Sequence, residues 1–298
     1  MKYLFLALRP KQWTKNLLVF MALVFSVNQY WSPLDLGQAG AFLTAAAAAF
    51  VVLCLASSSH YLINDLVDLE GDREHPQKRL RPLPSGKVKP GHALMAAFTL
   101  MALALLLGFW LSRGLGLILV LYLALMLGYT FFLRRMVILD VFAIAGGFVL
   151  RAVAGAVVLA IPISPWLYIV TALGALFIAF TKRKQELVLL ADNAARHRST
   201  LQEYTPKLLD ELIGVVAPAT VMAYSLYTFS AESLPRNHAM MLTIPFVLYG
   251  VFRYLYLSHV RDQGGTPEEV LLQDKPLLLT VLLWALTAGA LLFFYHHG

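Results

Sequence analysis

Apolar residues run along this chain in blocks too long for a water-soluble fold, separated by short polar connections. A helix needs about 20 predominantly apolar residues to cross the hydrocarbon core of a bilayer. Runs of that order lie at 16–32, 40–63, 92–111, 114–133, 138–160, 164–181, 209–230, 239–258 and 276–295. The pattern predicts an all-α integral membrane protein of nine transmembrane helices. The first run is the weakest, because polar residues flank it closely.

Cationic residues fall in alternate connections. Lys2, Arg9, Lys11 and Lys15 precede the first run, and Arg73, Lys78, Arg79, Arg81, Lys87 and Lys89 follow the second. Arg134 and Arg135 follow the fourth, Lys182, Arg183, Lys184, Arg196, Arg198 and Lys207 the sixth, and Arg261 and Lys275 the eighth. The connections between carry one arginine or none. By the positive-inside rule this places the N-terminus in the cytoplasm and the C-terminus outside, in a multi-pass protein of the cell (inner) membrane. Three connections are long, about 64–91, 182–208 and 259–275, and all lie on the cytoplasmic side. Long connections inside a compact domain are usually functional, so the active site is expected to face the cytoplasm. The chain reads as one polytopic domain over 1–298.

Composition sharpens this. Only 14% of the 298 residues are charged, against about 25% in soluble domains. A net charge of +7 would suggest nucleic acid in a soluble protein. Here it reads as loop cations facing anionic lipid and phosphorylated substrates, with no nucleic-acid partner. The single cysteine, Cys54, sits in an apolar run and reads as packing. The eight histidines show no metal-ligand spacing; His60 alone lies beside a candidate site and reads as supporting or structural. The apolar start, Tyr3–Leu8, is too short for a signal peptide. Homo-oligomerisation is left open.

The chemistry concentrates at the end of the second run, in Tyr61-Leu-Ile-Asn64-Asp65-Leu-Val-Asp68-Leu-Glu70-Gly-Asp72-Arg73. At 100° per residue, Tyr61, Asn64, Asp65, Asp68 and Asp72 fall within about 100° of arc, while Glu70 points away. Like charges one turn apart repel on a bare helix. A divalent cation between them resolves the repulsion, and oxygen-only ligands suit Mg²⁺, which takes one or two carboxylates plus substrate phosphate oxygens. Asn64, Asp65, Asp68 and Asp72 are therefore the candidate metal ligands, with the three aspartates the candidate catalytic residues. The competing reading is a solvated acidic helix end neutralised by Lys78, Arg79 and Arg81; it does not account for the one-sided spacing.

Arg151 lies deep in the fifth run, where a charge is a functional hypothesis by default: it either meets a substrate phosphate or pairs with a buried carboxylate. Asp140 shares its helix face, with Gly147 and Gly155. Lys11 and Lys15 stand one α-helical turn apart before the first run. Trp13 and Trp31 read as interfacial belt residues.

The spacing Asn64-Asp65-x-x-Asp68-x-x-x-Asp72 resembles the first Asp-rich motif of the UbiA prenyltransferase superfamily. Further blocks resemble its decaprenyl-phosphate phosphoribosyltransferase branch: Arg9-Pro-Lys11-Gln-Trp13-Thr-Lys15-Asn16, Asn64 through Pro82, Leu139-Asp140 with Arg151-Ala-Val-Ala-Gly155, Lys182-Arg183-x-x-Glu186 and Ser199-x-x-x-x-Tyr204-Thr205. The resemblance implies a UbiA-like bundle and Mg²⁺-dependent transfer of 5-phosphoribose from 5-phosphoribosyl 1-diphosphate to decaprenyl (polyprenyl) phosphate, towards a cell-wall arabinose donor. It implies substrate-binding roles for Lys11, Lys15, Tyr61, Arg73, Lys78, Arg81, Tyr129, Arg134, Arg135, Asp140, Arg151, Lys182, Arg183, Glu186, Arg198 and Tyr204. Tyr129, Arg134 and Arg135 resemble a Tyr-x-x-x-Lys-Arg element with one extra residue. The chain departs from the wider superfamily after the sixth run. A second Asp-rich motif is expected there, and the sequence reads Thr181-Lys182-Arg183-Lys184-Gln185-Glu186. Cations in that place suit extra phosphate groups held directly. An aromatic prenyltransferase is the alternative, and it would require the missing acidic motif. A transporter would require polar breaks near the bilayer midplane, whereas the acidic cluster lies at a membrane face.

Overall fold

In a bilayer core every backbone N–H and C=O must find its partner within the protein, and a helix supplies those partners locally. The computed structural model describes residues 2–162, 164–190, 199–231, 234, 237–260 and 267–294. Among the described residues the only β pairing is one isolated bridge, Val27 to Trp31. The α-helices are α1 (Lys2–Ala7), α2 (Met21–Val24), α3 (Leu36–Val67), α4 (Leu69–Glu74), α5 (Pro90–Leu111), α6 (Arg113–Phe131), α7 (Leu139–Leu159), α8 (Pro165–Leu190), α9 (Pro206–Ser230), α10 (Ile244–Val260), α11 (Pro267–Gln273) and α12 (Lys275–Phe294). Eight helices among the described residues, α3, α5 to α9, α10 with the 3₁₀ turn before it, and α12, are long and apolar enough to cross a membrane. This is a multi-pass membrane protein.

Local chemistry sets several boundaries. Pro90 and Pro206 open α5 and α9, where the missing proline N–H costs nothing. Ser112 and Thr205 cap α6 and α9 by accepting from Leu115 N at 3.0 Å and Leu208 N at 3.1 Å.

The chain divides into two compact units. One comprises Met1–Leu23, Gly40–Arg134 and Gly146–Pro162; the other comprises Val24–Ala39, Arg135–Ala145 and Ile163–Gly298. In the first, Val19, Val52, Leu53, Leu115, Leu119, Tyr122, Leu123 and Ala154 share one core. Helix α5 shows how it is built. Ala93, Ala97, Ala104 and Gly108 face inward, while Leu103, Leu106 and Trp110 are exposed. Small residues permit close helix approach, and the large apolar ones are left for lipid.

The first expected crossing, 16–32, takes a different form. Pro10–Phe20 is a 3₁₀ helix that runs directly into α2. Its buried face repeats every three residues, as three residues per turn demands. Trp13 Nε1 donates to Ser58 Oγ at 3.0 Å, Asn16 Nδ2 donates to Ser57 Oγ at 3.2 Å, and Val19 is buried. Trp13 thus ties the segment to α3. Lys11 and Lys15, four apart, stand about 120° apart on such a helix rather than on one face; Lys11 is exposed and Lys15 half-buried. At Gly155 of α7 a Cβ would collide with the Val19 carbonyl, so only glycine admits the segment's backbone there.

In the second unit α8 packs on α9, and α10 on α12. Helix α8 continues nine residues beyond the expected end at 181, so Lys182, Arg183 and Glu186 are helical rather than in a loop. Lys184 and His259 both meet Asp210, at 2.6 and 3.1 Å, joining α8, α9 and α10. Arg253 forms a two-pronged pair with Asp274, at 3.1 and 2.8 Å. The expected loops also contain structure: α4 and a 3₁₀ turn over Lys78–Leu80 lie within 64–91, and α11 lies within 259–275.

Candidate active site

Helix α3 deviates at Asp68, whose φ of −92° and ψ of 6° are not helical. The hydrogen-bond ladder nonetheless passes through: Asp68 N donates to Asn64 O at 3.0 Å and Asp72 N to Asp68 O at 2.8 Å. The four oxygen-bearing side chains therefore keep helical register across the join into α4. They form two pairs. Asn64 Nδ2 donates to Asp68 Oδ2 at 3.0 Å, and Thr130 Oγ1 donates to Asn64 Oδ1 at 3.3 Å. Asp65 and Asp72 are bridged by Arg81 Nη1, at 3.4 and 2.7 Å.

Each carboxylate is answered by a cation. Arg9 pairs with Asp65, Arg134 with Asp68, Arg81 with Asp65 and Asp72, and Lys78 lies 3.6 Å from Asp72. Arg9 is itself held over the Tyr61 ring, 5.1 Å from its centroid, a favourable cation–π distance. Its backbone is left-handed, φ 56° and ψ 59°, between α1 and Pro10. An arginine in that region is uncommon, and the ion pair with Asp65 is where the conformation delivers it.

The donor set is oxygen-only and suits a hard cation such as Mg²⁺. Among the described residues no three His, Cys, Asp or Glu side chains converge to hold a metal alone. A metal here fits one or two carboxylates with phosphate oxygens completing the shell. Asp68 is the accessible carboxylate, 29% exposed, against 2% for Asp65 and 5% for Asp72.

Deeper in the same unit lies Arg151. It is buried, and its Nε donates to Asn16 Oδ1 at 2.8 Å, Nη1 to Gly147 O at 2.8 Å and Nη2 to Tyr122 Oη at 2.8 Å. A carboxylate partner, one of the two alternatives for this residue, is not among these contacts; all three acceptors are neutral. Cys54 is buried beside it as packing and accepts from Asn16 at 3.3 Å.

In the second unit Asp140, Arg183, Glu186 and Tyr204 come together. Arg183 Nε donates to Asp140 Oδ2 at 3.0 Å, and its Nη1 donates to Glu186. Tyr204 donates to Asp140 Oδ1 at 2.9 Å and accepts from Ile138 N at 2.7 Å. Burial, reinforced by the Asp140 charge, pushes the Tyr204 hydroxyl up to about 12, so it remains a donor at any physiological pH. These four residues answer one another's charges and hydrogen bonds.

Of the remaining candidates, Arg73 and Arg135 are exposed, and Tyr129 and Lys182 are half-buried. Arg198 lies outside the described residues. Glu70 is exposed, as its angle on the helix requires. Sequence reasoning did not assign site roles to Arg9, Asn16, Tyr122 and Thr130. Arg9 and Asn16 stand inside the block Arg9-Pro-Lys11-Gln-Trp13-Thr-Lys15-Asn16, which was the available signal; Tyr122 and Thr130 carried none.

Comparison with known proteins adds four findings. The pattern of the UbiA prenyltransferase family matches residues 17–267. The chain is 36% identical over 296 residues to a decaprenyl-phosphate phosphoribosyltransferase of Mycolicibacterium smegmatis, covering 97% of this chain and 92% of that one. It is 38% identical over 285 residues to the protein of the same name in Corynebacterium glutamicum, covering 93% and 83%. Among solved structures, a UbiA homolog from Archaeoglobus fulgidus bound to GPP and Mg²⁺ superposes with a TM-score of 0.72 at 17% identity, covering 98% of this chain and 99% of that one.

Proposed function

The chain belongs to the UbiA prenyltransferase family, and from that premise we propose that it transfers 5-phosphoribose from 5-phosphoribosyl 1-diphosphate to a polyprenyl phosphate such as decaprenyl phosphate, releasing diphosphate. The observation that carries the reading is the acid-rich end of α3, whose carboxylates are interleaved with Arg9, Lys78, Arg81 and Arg134. Such an array matches a ligand that is both metal-chelating and polyanionic. The names of the two relatives supply the choice of phosphoribosyl donor and lipid phosphate acceptor.

Asp68 and the Asn64 carbonyl oxygen would hold Mg²⁺ from the protein side, with Asp65 and Asp72 behind them. When bound, the ion supplies Lewis-acid stabilisation of the departing diphosphate. The chain's own groups do the rest. Arg9, Arg81 and Arg134 exchange a carboxylate oxygen for a phosphate oxygen and place fixed positive charge where negative charge accumulates. The acceptor's ionised phosphate oxygen forms the new bond to ribose C1. The C1–O bond to diphosphate breaks, and its electron pair leaves with the diphosphate. An oxyanion nucleophile needs no strong general base. The cytoplasm-facing site, the inner-membrane location and the link to cell-wall arabinose belong to this same reading.

The test uses the purified full chain in detergent with Mg²⁺. One reaction receives labelled phosphoribosyl diphosphate and polyprenyl phosphate, the other labelled prenyl diphosphate and hydroxybenzoate. Lipid-phase product forming from labelled ribose is the expected outcome. Product in the second reaction alone would assign the chain to aromatic prenyl transfer instead.

A further inference from the structure

Arg151 is a charge whose answer is missing. It is buried within α7, one of the membrane-crossing helices, and its three hydrogen bonds go to an amide, a backbone carbonyl and a phenol. A guanidinium carries five N–H donors, so two remain after these three. Buried charges in membrane helices are paired or face a ligand. Tyr122 and Asn16 fix the guanidinium from two sides, and the Tyr122 ring lies 4.8 Å from it. The group is held still without being neutralised.

A second observation falls in the same place. His60 is 5% exposed, and its Nδ1 is buried with no hydrogen-bond partner. An unpaired buried nitrogen is costly in any fold. His60 lies one turn past Ser57 on α3, and Ser57 and Arg151 share the Asn16 side chain as a hydrogen-bond partner; its ring packs against Tyr61 at 5.5 Å. It stands one turn before Asn64 on α3, about 6 Å along the axis from Asn64 and about 12 Å from Asp68. The arginine that sequence reasoning assigned to an extra phosphate, Arg183, already has Asp140 and Glu186.

From these observations we infer that His60 and Arg151 form a seat for a phosphate monoester, separate from the diphosphate site at the acid-rich end of α3. This rests on the transferase reading above and deepens it. Arg151 supplies the charge, His60 donates one N–H to a phosphate oxygen, and Asn16 and Tyr122 are positioning residues acting through Arg151. The separation from Asn64 and Asp68 is that of a sugar ring with its exocyclic carbon, which favours the 5-phosphate of the donor. The phosphate of the lipid acceptor has the same chemistry, and the experiment separates the two.

Binding to the full chain in detergent would be measured by calorimetry with three probes: ribose 5-phosphate, inorganic diphosphate with Mg²⁺, and farnesyl phosphate. His60→Phe keeps the ring that packs on Tyr61 and removes both nitrogens; Arg151→Lys keeps the charge and loses the fork. Both variants should weaken ribose 5-phosphate about tenfold, the loss of one charge-assisted hydrogen bond, with diphosphate binding changed less than twofold. A loss confined to farnesyl phosphate would keep the phosphate seat and assign it to the acceptor. Unchanged binding of all three probes in both variants would overturn the proposal, as would an equal loss of all three. Failure of the transferase reading looks different: the unmodified chain would then form no lipid-phase product from labelled phosphoribosyl diphosphate, whatever its binding of the three probes.

Discussion

Asp68 is held differently from its two acidic neighbours. Asp65 and Asp72 are buried under Arg81, whereas Asp68 is more exposed and meets only Asn64 and Arg134 among the contacts described above. Asp68→Ala should therefore leave the fold intact while lowering turnover by more than about 100-fold, the upper range for losing even an outer metal partner. Steady-state assay beside a thermal melt checks both halves; retained turnover with Mg²⁺ would remove Asp68 from the site. Tyr204 is predicted to act on stability instead. Its hydroxyl accepts the amide of Ile138, a β-branched residue at a φ of 70°, where such residues are outliers. Tyr204→Phe should cost about 1–3 kcal/mol, the penalty of leaving a buried group unpaired. The folded-state pKa is raised to about 12 from 10, so the stabilisation is complete below pH 10 and fades as pH rises from 10 to 12. A melting series over that window should converge for the two proteins; a constant gap would contradict the titration. At this scale the acid-rich motif was legible, because helical period alone aligns Asn64, Asp65, Asp68 and Asp72. Their cationic partners were not. Arg9 and Arg134 lie 56 and 66 residues from the carboxylates they meet, and no local pattern encodes such a pairing.

Helices long enough to cross a bilayer announce themselves by length, and α3, α5 to α10 and α12 were readable for that reason. The segment Pro10–Phe20 was not. An inward stripe at Trp13, Asn16 and Val19, half-buried at the first and buried at the other two, fits spacing of three, but over so few turns it cannot be told in sequence from the three-or-four alternation of an α-helix. Packing settles the matter: Asn16 must reach both Ser57 and Arg151, and the Val19 carbonyl must lie against Gly155. The end of α8 was misplaced for a related reason. Charge at Lys182, Arg183 and Lys184 suggested a loop, yet Arg183 is buried by its pair with Asp140. The segment's dependence on Gly155 can be measured. Gly155→Ala sets a methyl group against backbone that cannot rotate away, and overpacking of this kind costs about 1–3 kcal/mol. Gly250→Ala, where nothing lies within 4 Å, is the control. The first should melt several degrees lower and the second at the parent temperature or slightly above, as alanine favours helix. Equal melting of the two would mean that the segment does not press on α7.

For the whole molecule the open quantity is the number of crossings, and it turns on that same segment. Eight helices have the length and hydropathy to cross. Pro10–Phe20 and α2 together hold only 15 residues, fewer than an α-helical span needs. A 3₁₀ helix rises about 2.0 Å per residue rather than 1.5 Å, however, so the combined run reaches about 28 Å, close to the hydrocarbon thickness of about 30 Å. The alternation of cationic connections argues for the crossing: without it the clusters before residue 16 and after residue 63 would lie on opposite sides, and the positive-inside pattern would break at its first step. Cys54 is buried and is the only cysteine, so single introduced cysteines can report sidedness. Tyr3, Leu34, Arg79 and Arg113 are all exposed. In right-side-out vesicles an impermeant maleimide should label Leu34→Cys and Arg113→Cys at once, and Tyr3→Cys and Arg79→Cys only after permeabilisation. Labelling of Tyr3→Cys together with Leu34→Cys would show that the stretched segment turns back within the membrane. The count would then be eight, with the acid-rich end of α3 still facing the cytoplasm if Arg79→Cys stays protected.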